Sequence, residues 1–370
     1  MVYITDAVTE CDSTLSKLCA GYKANSTPQN LLAIQHKVLS LKSTKHIEKD
    51  CGIIGFSYEY RKKDYSDVIS SLNSLSVPRG LFKNIFKDKI AESKLKYQLL
   101  ANVGTDRFAE KSEELYGYPS KKLIDKAYAI LDLKPEPSDE EYGIIDAKKK
   151  LRKELSDMNI PWKIKSKKLL NYAHIIPSKE TIYLSSNHKY SQRTIKRLAV
   201  HEIGTHGVRY MNAKKQPLKI FKNFPNYIST EEGLAAFNEE INGFLNNETL
   251  RRYAGRVVAI DYAQNNSLLQ TYVFLRKFFD DKVAFNTALR VKRGLANSES
   301  LGAFTKDHVY LKGFFEIKKY LLKNPLKHLY YGKISLEHID VIKKVEEELA
   351  PISFYPPLAR TFDQKKSLLD

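Results

Sequence analysis

Two histidines five residues apart place the strongest constraint on how this 370-residue chain can fold. The helix start predicted at Ser191 puts both His201 and His206 on one helix. On a regular α-helix, residues five apart lie roughly 140° apart around the axis, so their side chains cannot meet at one point. A π-bulge would bring the second nearly above the first, and Gly204 supplies backbone freedom for it. We therefore predict a local distortion of this helix.

The residue types in this segment indicate a metal site. Neutral imidazoles are good zinc ligands, and a carboxylate beside one of them can deprotonate a water at the metal. His201 and His206 are therefore candidate ligands, and Glu202 is a candidate general base. A catalytic zinc site takes three protein ligands and leaves one position open. The third ligand must come from elsewhere, and Glu231 or Glu232, at the start of the next predicted helix, can supply it.

The remaining sequence predicts a helix-rich α+β fold with a helical N-terminal region. A β-hairpin is expected where residues 173–176 and 181–184 flank a turn, beside the helix that carries the histidines. We divide the chain into a helical region of unknown role (1–95), the domain that carries the motifs (96–360) and a tail (361–370). Helices are expected from the spacing of apolar residues. They are 31–43, 81–100, 108–116, 147–158, 192–211, 234–244, 259–281 and 336–349.

The net charge of +18 favours an acidic partner, because summed charge steers association. Nucleic acid, an anionic membrane and an acidic polypeptide tail all qualify, so charge alone does not separate them. The first residues lack the pattern of a signal peptide, and no apolar run reaches the length of a membrane span. The expectation is a cytoplasmic protein with no membrane span. Cys11, Cys19 and Cys51 have no CxxC spacing and are expected to be reduced.

Four blocks of the sequence resemble the family named after flavohaemoglobin expression modulation and a QEGLA motif, which includes the microtubule-associated tyrosine carboxypeptidases. The blocks are GTDRF (104–108) with YGYP (116–119), HEIGTH (201–206) with Asn212 and QPL (216–218), TEEGLA (230–235), and RVKRG (290–294) leading into GAFTKDHVYLKG (302–313). The resemblance implies a zincin-like metallopeptidase domain. Its Zn²⁺ ligands would be His201, His206 and Glu232, with Glu202 as base. Glu231 stands where the motif name has Gln, which leaves a second carboxylate near the metal.

The resemblance further implies a carboxypeptidase that removes a C-terminal residue, possibly tyrosine, from an acidic protein tail such as that of α-tubulin. An exopeptidase must bind the terminal carboxylate, and the candidates are Arg290, Arg293 and Lys306. Tyr310 is a candidate donor to the developing oxyanion. The predicted strand 181–184 is expected to align the substrate backbone by edge pairing.

Two alternatives use the same residues. In one, the protein is a zinc-binding regulator without catalytic activity, and its basic surface binds nucleic acid. The sequence shows no nucleic-acid-binding motif, and a structural zinc site is usually closed by four ligands, so we expect nucleic acid not to be the partner. In the other, the protein is an endopeptidase with the same metal site. Masking the C-terminal carboxylate of a test peptide separates an exopeptidase from an endopeptidase.

Overall fold

Helices form most of the described chain, as the sequence predicts. A computed structural model describes residues 2–22, 26–41, 47–59, 64–136, 141–169 and 172–353. The tail predicted at 361–370, and the last residues of the region 96–360, lie outside this part. The helices are α1 (Asp6–Cys19), α2 (Leu31–Leu39), α3 (Ile47–Cys51), α4 (Ser66–Ser74), α5 (Lys83–Ala101), α6 (Phe108–Tyr116), α7 (Lys121–Leu131), α8 (Ile144–Asp157), α9 (Gln192–Leu198), α10 (Val208–Lys215), α11 (Tyr227–Ile241), α12 (Asn247–Ala263), α13 (Leu268–Leu275), α14 (Asp281–Lys292), α15 (Val309–Leu321) and α16 (Ile339–Val345). A π-helix, Ala199–Gly207, joins α9 to α10.

A three-stranded sheet confirms the predicted hairpin and adds a strand to it. The strands are β1 (Lys163–Lys167), β2 (Ala173–Ile176) and β3 (Thr181–Ser185). Antiparallel β2 and β3 form the hairpin, and β1 pairs in parallel with β3, so the order is β1-β3-β2. Of the five residues of β1 only Ile164 is buried, so the strand lacks the alternation that sequence patterns detect.

The central position of β3 overturns one expectation about the substrate. Both edges of β3 are paired within the sheet, from Thr181 to Leu184 on either side. A strand can accept an additional chain only along an unpaired edge. The prediction that residues 181–184 align the substrate by edge pairing is therefore wrong.

The single helix predicted over 259–281 is also wrong. The structure divides it into α12, which ends at Ala263, and α13, which begins at Leu268. Ser267 and Gln270 form a capping box in which each side chain binds the other residue's backbone N–H, and this starts a new helix. The Nζ atom of the buried Lys292 donates to the carbonyl of Ala263 at 2.8 Å, and also to those of two residues in the loop after α14.

The N-terminal helices pack onto the rest of the chain in one continuous hydrophobic core. The carboxylate of Asp12 accepts hydrogen bonds from the backbone N–H groups of Lys219 and Ile220, at 2.6 and 2.8 Å. The boundary predicted at residue 95 falls inside α5, and the division of the chain into these regions stays a prediction. Within the described residues, no helix combines the length and apolar character needed to cross a membrane.

Candidate active site

The helix that carries the two histidines is distorted as their spacing predicts. Ser191 caps its start by accepting a hydrogen bond from a backbone N–H. From Ala199 to Gly207 it then adopts the wider π-helical turn, in which bonds run between residues five apart. His201 and His206 consequently face the same side, with ring centroids 4.9 Å apart. The predicted π-distortion is confirmed.

Side chains bind backbone carbonyls along this π-turn. The hydroxyl of Thr205 donates to the carbonyl of Val200 at 3.1 Å, and the hydroxyl of Tyr330 donates to the carbonyl of Gly204 at 3.2 Å. Asn238 of α11 holds both hydroxyls through its amide nitrogen, at 2.7 and 3.0 Å. The distortion is therefore tied to the neighbouring elements through buried side chains.

Glu232 brings a carboxylate to the two imidazoles. Its Oε2 atom lies 3.7 Å from the Nε2 atoms of both His201 and His206. One ligand atom from each of the three residues lies within 4.8 Å of the others. The Oε2 atom is buried and has no hydrogen-bond partner among the described residues, which is unusual for a buried carboxylate oxygen. Two imidazoles and one carboxylate are a ligand set that catalytic zinc uses, so these residues fit such an ion.

Each imidazole is held from behind by a second carboxylate. Glu239 accepts from Nδ1 of His201 at 2.7 Å, and Glu231 contacts Nδ1 of His206 at 2.8 Å. With Nδ1 engaged in this way, Nε2 of each ring is left for a metal. Glu231 therefore lies behind His206, whereas Glu232 lies at the Nε2 atoms. This geometry favours Glu232 over Glu231 as the third ligand.

Three cations, of which Arg209 is fully buried and the other two are partly exposed, neutralise these two carboxylates. Glu231 pairs with Arg209 and with Nζ of Lys333, the latter at 3.0 Å. Glu239 pairs with Arg197 at 3.0 Å. Burial alone would raise the pKa of Glu231, but Lys333 and Arg209 hold that pKa well below its usual range. We call the two histidines with these two carboxylates and three cations the histidine network.

Sequence reasoning missed Glu239 and Arg197, although both carry a spacing signal. Glu239 lies seven residues after Glu232, two helical turns along α11, and therefore on the same face. Arg197 precedes His201 by four residues, one turn earlier. Glu202 follows His201 and is half-buried. Burial lowers the pKa of His174 in β2, and the negative charge of Glu202 partly offsets this decrease. Glu202 therefore lies within electrostatic range of His174.

The three cations predicted to bind a terminal carboxylate are brought together around the buried Asp307. Arg290 binds it through two nitrogens, of which Nη2 donates to Oδ1 at 3.1 Å. Arg293 contacts it with Nη2 at 3.4 Å, and Lys306 precedes it in the chain. A fourth cation, Arg256 of α12, joins them without having been predicted. We call these four cations and Asp307 the cation pocket.

Burial and mutual repulsion act on the groups of the cation pocket. Burial would raise the pKa of Asp307, but Arg290 and Arg293 hold it well below its usual range. Burial lowers the pKa of Lys306, and so does the charge of Arg293. Glu232 partly offsets this decrease, which places Lys306 within electrostatic range of the candidate metal ligand.

Tyr310 lies between the two clusters. Its ring stacks on that of Tyr253 with centroids 5.4 Å apart, and the guanidinium of Arg256 lies 4.4 Å from its centroid. Burial raises the pKa of Tyr310, and the charge of Glu232 raises it further. The phenol therefore stays protonated and can donate a hydrogen bond near Glu232. Its predicted role as an oxyanion donor stays a prediction.

Two glycines set the distance between the helices that carry Glu232 and Tyr310. Where α11 crosses α15, a Cβ on Gly233 would lie 2.1 Å from the backbone of Gly313. A Cβ on Gly313 would lie 1.9 Å from the carbonyl oxygen of Ser229. No side chain fits at this crossing, so the close packing of α11 on α15 explains why the TEEGLA block has a glycine at position 233.

Known proteins resemble this chain over the region that contains the site. Residues 57–370 match the family model described as microtubule-associated tyrosine carboxypeptidase. Microtubule-associated tyrosine carboxypeptidase 1 of Rattus norvegicus is 31% identical over 150 residues, which are 39% of this chain and 32% of that protein. The Mus musculus protein gives the same identity and coverage, and the Homo sapiens protein is 32% identical over 151 residues, 39% of this chain and 31% of its own length. The matched part thus spans about a third of these relatives.

Proposed function

Because the chain belongs to the family of microtubule-associated tyrosine carboxypeptidases, we propose that it is a zinc-dependent carboxypeptidase. The observation that carries this proposal is the convergence of His201, His206 and Glu232 on one point, beside a pocket rich in cations. The substrate we propose is an acidic protein tail that ends in tyrosine, such as that of α-tubulin. A microtubule substrate would place the protein in the cytoplasm.

The roles of the residues follow from where they lie. His201, His206 and Glu232 would hold Zn²⁺, which when bound acts as a Lewis acid that lowers the pKa of a water and polarises a carbonyl. Glu202 accepts the proton of the attacking water and later delivers it to the leaving amine. The phenol of Tyr310 donates a hydrogen bond to the oxygen on which negative charge develops.

The cation pocket explains why the enzyme would act at a chain end. A terminal carboxylate needs a cationic partner when it is removed from water. Lys306 can be this partner, because it interacts electrostatically with the candidate metal ligand Glu232. Arg290 and Arg293 contact Asp307, which fixes their orientation. An endopeptidase substrate has no terminal carboxylate to place beside the charge of Lys306.

Glu202→Gln tests the proposal, because the amide keeps the shape of the side chain and cannot accept the proton. We expect the rate of removal of a C-terminal tyrosine from an acidic peptide, followed by mass spectrometry, to fall by about 10²- to 10⁴-fold. Glu180→Gln, which alters an exposed glutamate paired with Lys214, is the matched control and should keep the wild-type rate.

The same assay separates the alternatives. Amidation of the peptide's C terminus should abolish cleavage by a carboxypeptidase, whereas an endopeptidase would still cut the amidated peptide. Full activity of Glu202→Gln would contradict the assignment of the base.

A further inference from the structure

The cation pocket holds more positive charge than its own carboxylate can balance. Arg256, Arg290, Arg293 and Lys306 lie around a single acid, the buried Asp307, and each of the four cations is itself only partly exposed. Burial lowers the pKa values of Arg256 and Lys306, and repulsion from the neighbouring arginines lowers them further. Such an excess of charge is expected where an anionic ligand completes the cluster.

Two hydrogen-bond donors in the pocket have no partner. Nη1 of Arg256 and Nε of Arg293 are buried, and neither has a hydrogen bond to any described residue. Arg290, in contrast, is engaged by both oxygens of Asp307. Leaving a buried charged donor unsatisfied is costly, so a ligand that accepts from these atoms is favoured.

Arg256 differs from the other cations in where it comes from and what it contacts. It lies on α12, whereas Arg290 and Arg293 come from α14 and the residue after it. It makes no ion pair within the described chain and rests on the ring of Tyr310, 4.4 Å from the centroid. Through Tyr310 it borders the position of Glu232, which raises the pKa of that phenol. Arg256 therefore contacts Tyr310, the residue that lies between the cation pocket and the candidate metal ligands.

One substrate can present two carboxylates close to the bond that is cut. The first is the terminal carboxylate, one residue beyond the bond. The second is the side chain of an acidic residue immediately before the bond. A single terminal carboxylate would leave more than one cation of the pocket unbalanced, whereas two carboxylates come closer to neutralising it.

We propose that the cation pocket binds two carboxylates of one substrate, and that Arg256 is the specificity-determining residue that binds the acidic side chain before the scissile bond. This inference rests on the proposed function. It predicts that the enzyme selects acidic peptides in which glutamate or aspartate precedes the terminal residue, and that the charge of this residue contributes to binding through Arg256.

Binding to the zinc-loaded Glu202→Gln protein tests this without depending on turnover. Three peptides are compared: one ending in Glu-Tyr, one ending in Gln-Tyr, and the Glu-Tyr peptide with an amidated C terminus. We expect the Gln-Tyr peptide to bind about tenfold more weakly than the Glu-Tyr peptide, as expected for one charge-assisted hydrogen bond. Adding Arg256→Gln should reduce this difference to about twofold or less, while the effect of amidation remains.

Arg252→Gln in the same background is the matched control. Arg252 lies one turn earlier on α12, pairs with Glu248 at 3.1 Å and is outside the pocket. It should keep the tenfold preference for Glu-Tyr. Arg256→Lys retains the charge but lacks the forked guanidinium, so its preference for Glu-Tyr over Gln-Tyr should lie between those of the Arg256 protein and Arg256→Gln. It provides a second test if Arg256→Gln folds poorly.

Three results would overturn the inference. In the first, the Gln-Tyr peptide binds more weakly than the Glu-Tyr peptide by the same factor with and without Arg256→Gln. In the second, the two peptides bind equally well to the protein that keeps Arg256. In the third, amidation no longer weakens binding once Arg256 is replaced, which would assign Arg256 to the terminal carboxylate. Cleavage of both peptides by the wild type without preference would refute this inference alone. Charge-dependent binding without any cleavage by the wild type would refute the proposed function and leave the two-carboxylate pocket standing.

Discussion

The histidine network and the cation pocket lie side by side, yet their charges are paired to very different degrees. In the histidine network, Glu231 and Glu239 each contact an imidazole and at least one cation. In the cation pocket Asp307 pairs with Arg290 and Arg293 but not with Arg256 or Lys306, and two buried nitrogens have no partner among the described residues. A network with paired charges holds its members in fixed positions, whereas one with spare donors has capacity for a ligand. The difference separates the part that would hold a metal from the part that would recognise a substrate.

The most severe change we predict breaks both clusters together. Gly313→Ala places a methyl group 1.9 Å from the carbonyl oxygen of Ser229, so α15 must move away from α11. We expect a loss of about 4 kcal/mol or more in the free energy of unfolding, measured with denaturant. Gly143→Ala is the control, because no atom lies within 4 Å of the added Cβ, and it should change stability by less than about 0.5 kcal/mol. Equal stability of the two variants would contradict the tight crossing.

Removing one arginine from each cluster sharpens the comparison. Arg209 is fully buried, and its donors bind Glu231 and the carbonyls of Leu329, Gly332 and Ile334. Arg209→Gln should cost about 3–5 kcal/mol, because Glu231 loses one of its two cations and three buried carbonyls lose their donor. Arg256→Gln removes a cation that has no ion pair with any residue the structure describes and that repels its neighbours, and it should cost less than about 1 kcal/mol. If both variants lost the same stability, the two clusters would not differ as described.

A smaller effect is expected from a hydroxyl at the edge of the histidine network. Tyr253 lies 3.3 Å from both oxygens of Glu239, while its ring stacks on Tyr310. Tyr253→Phe keeps the stacking and removes this contact, so we expect a loss of about 1 kcal/mol in thermal unfolding. No measurable change would show that Arg197 and His201 alone position Glu239.

A surface ion pair should make the smallest contribution to stability, and it serves as a baseline against which the contributions of both clusters are compared. Hydrogen bonds from Lys327 lower the pKa of Glu346 from 4.5 to about 2. Because this pKa is lowered in the folded state, the stabilisation is present above pH 4.5 and is lost as the pH falls towards 2. Solvent screening should keep it below about 1 kcal/mol. Glu346→Gln should remove this part of the pH dependence of stability, and an unchanged acid profile would contradict it.

The sequence predicted the histidine network better than the cation pocket. The spacing of His201 and His206 required a distorted helix, since no regular helix places both on one side, and the structure has a π-helix there. Arg256 had no comparable signal, because it is one arginine on a long helix and joins the pocket only through tertiary packing. Asp307 lies inside the block 302–313, but no feature of the sequence indicated that this carboxylate would bring the cations together.

The sheet shows the same limit. The hairpin of β2 and β3 is local and could be predicted from its turn, whereas the parallel pairing of β1 with β3 depends on a contact between distant residues. That pairing, which sequence patterns do not show, decides which strand has a free edge.

The zinc content of three purified proteins tests the central claim most directly. They are the wild type, Glu232→Gln and Glu231→Gln, two substitutions of the same kind at neighbouring positions. We predict one zinc ion per chain in the wild type, none in Glu232→Gln, and zinc retained in Glu231→Gln, because Glu231 faces Arg209 and Lys333 behind His206. Zinc retained by Glu232→Gln and lost from Glu231→Gln, or no zinc in the wild type, would contradict the account.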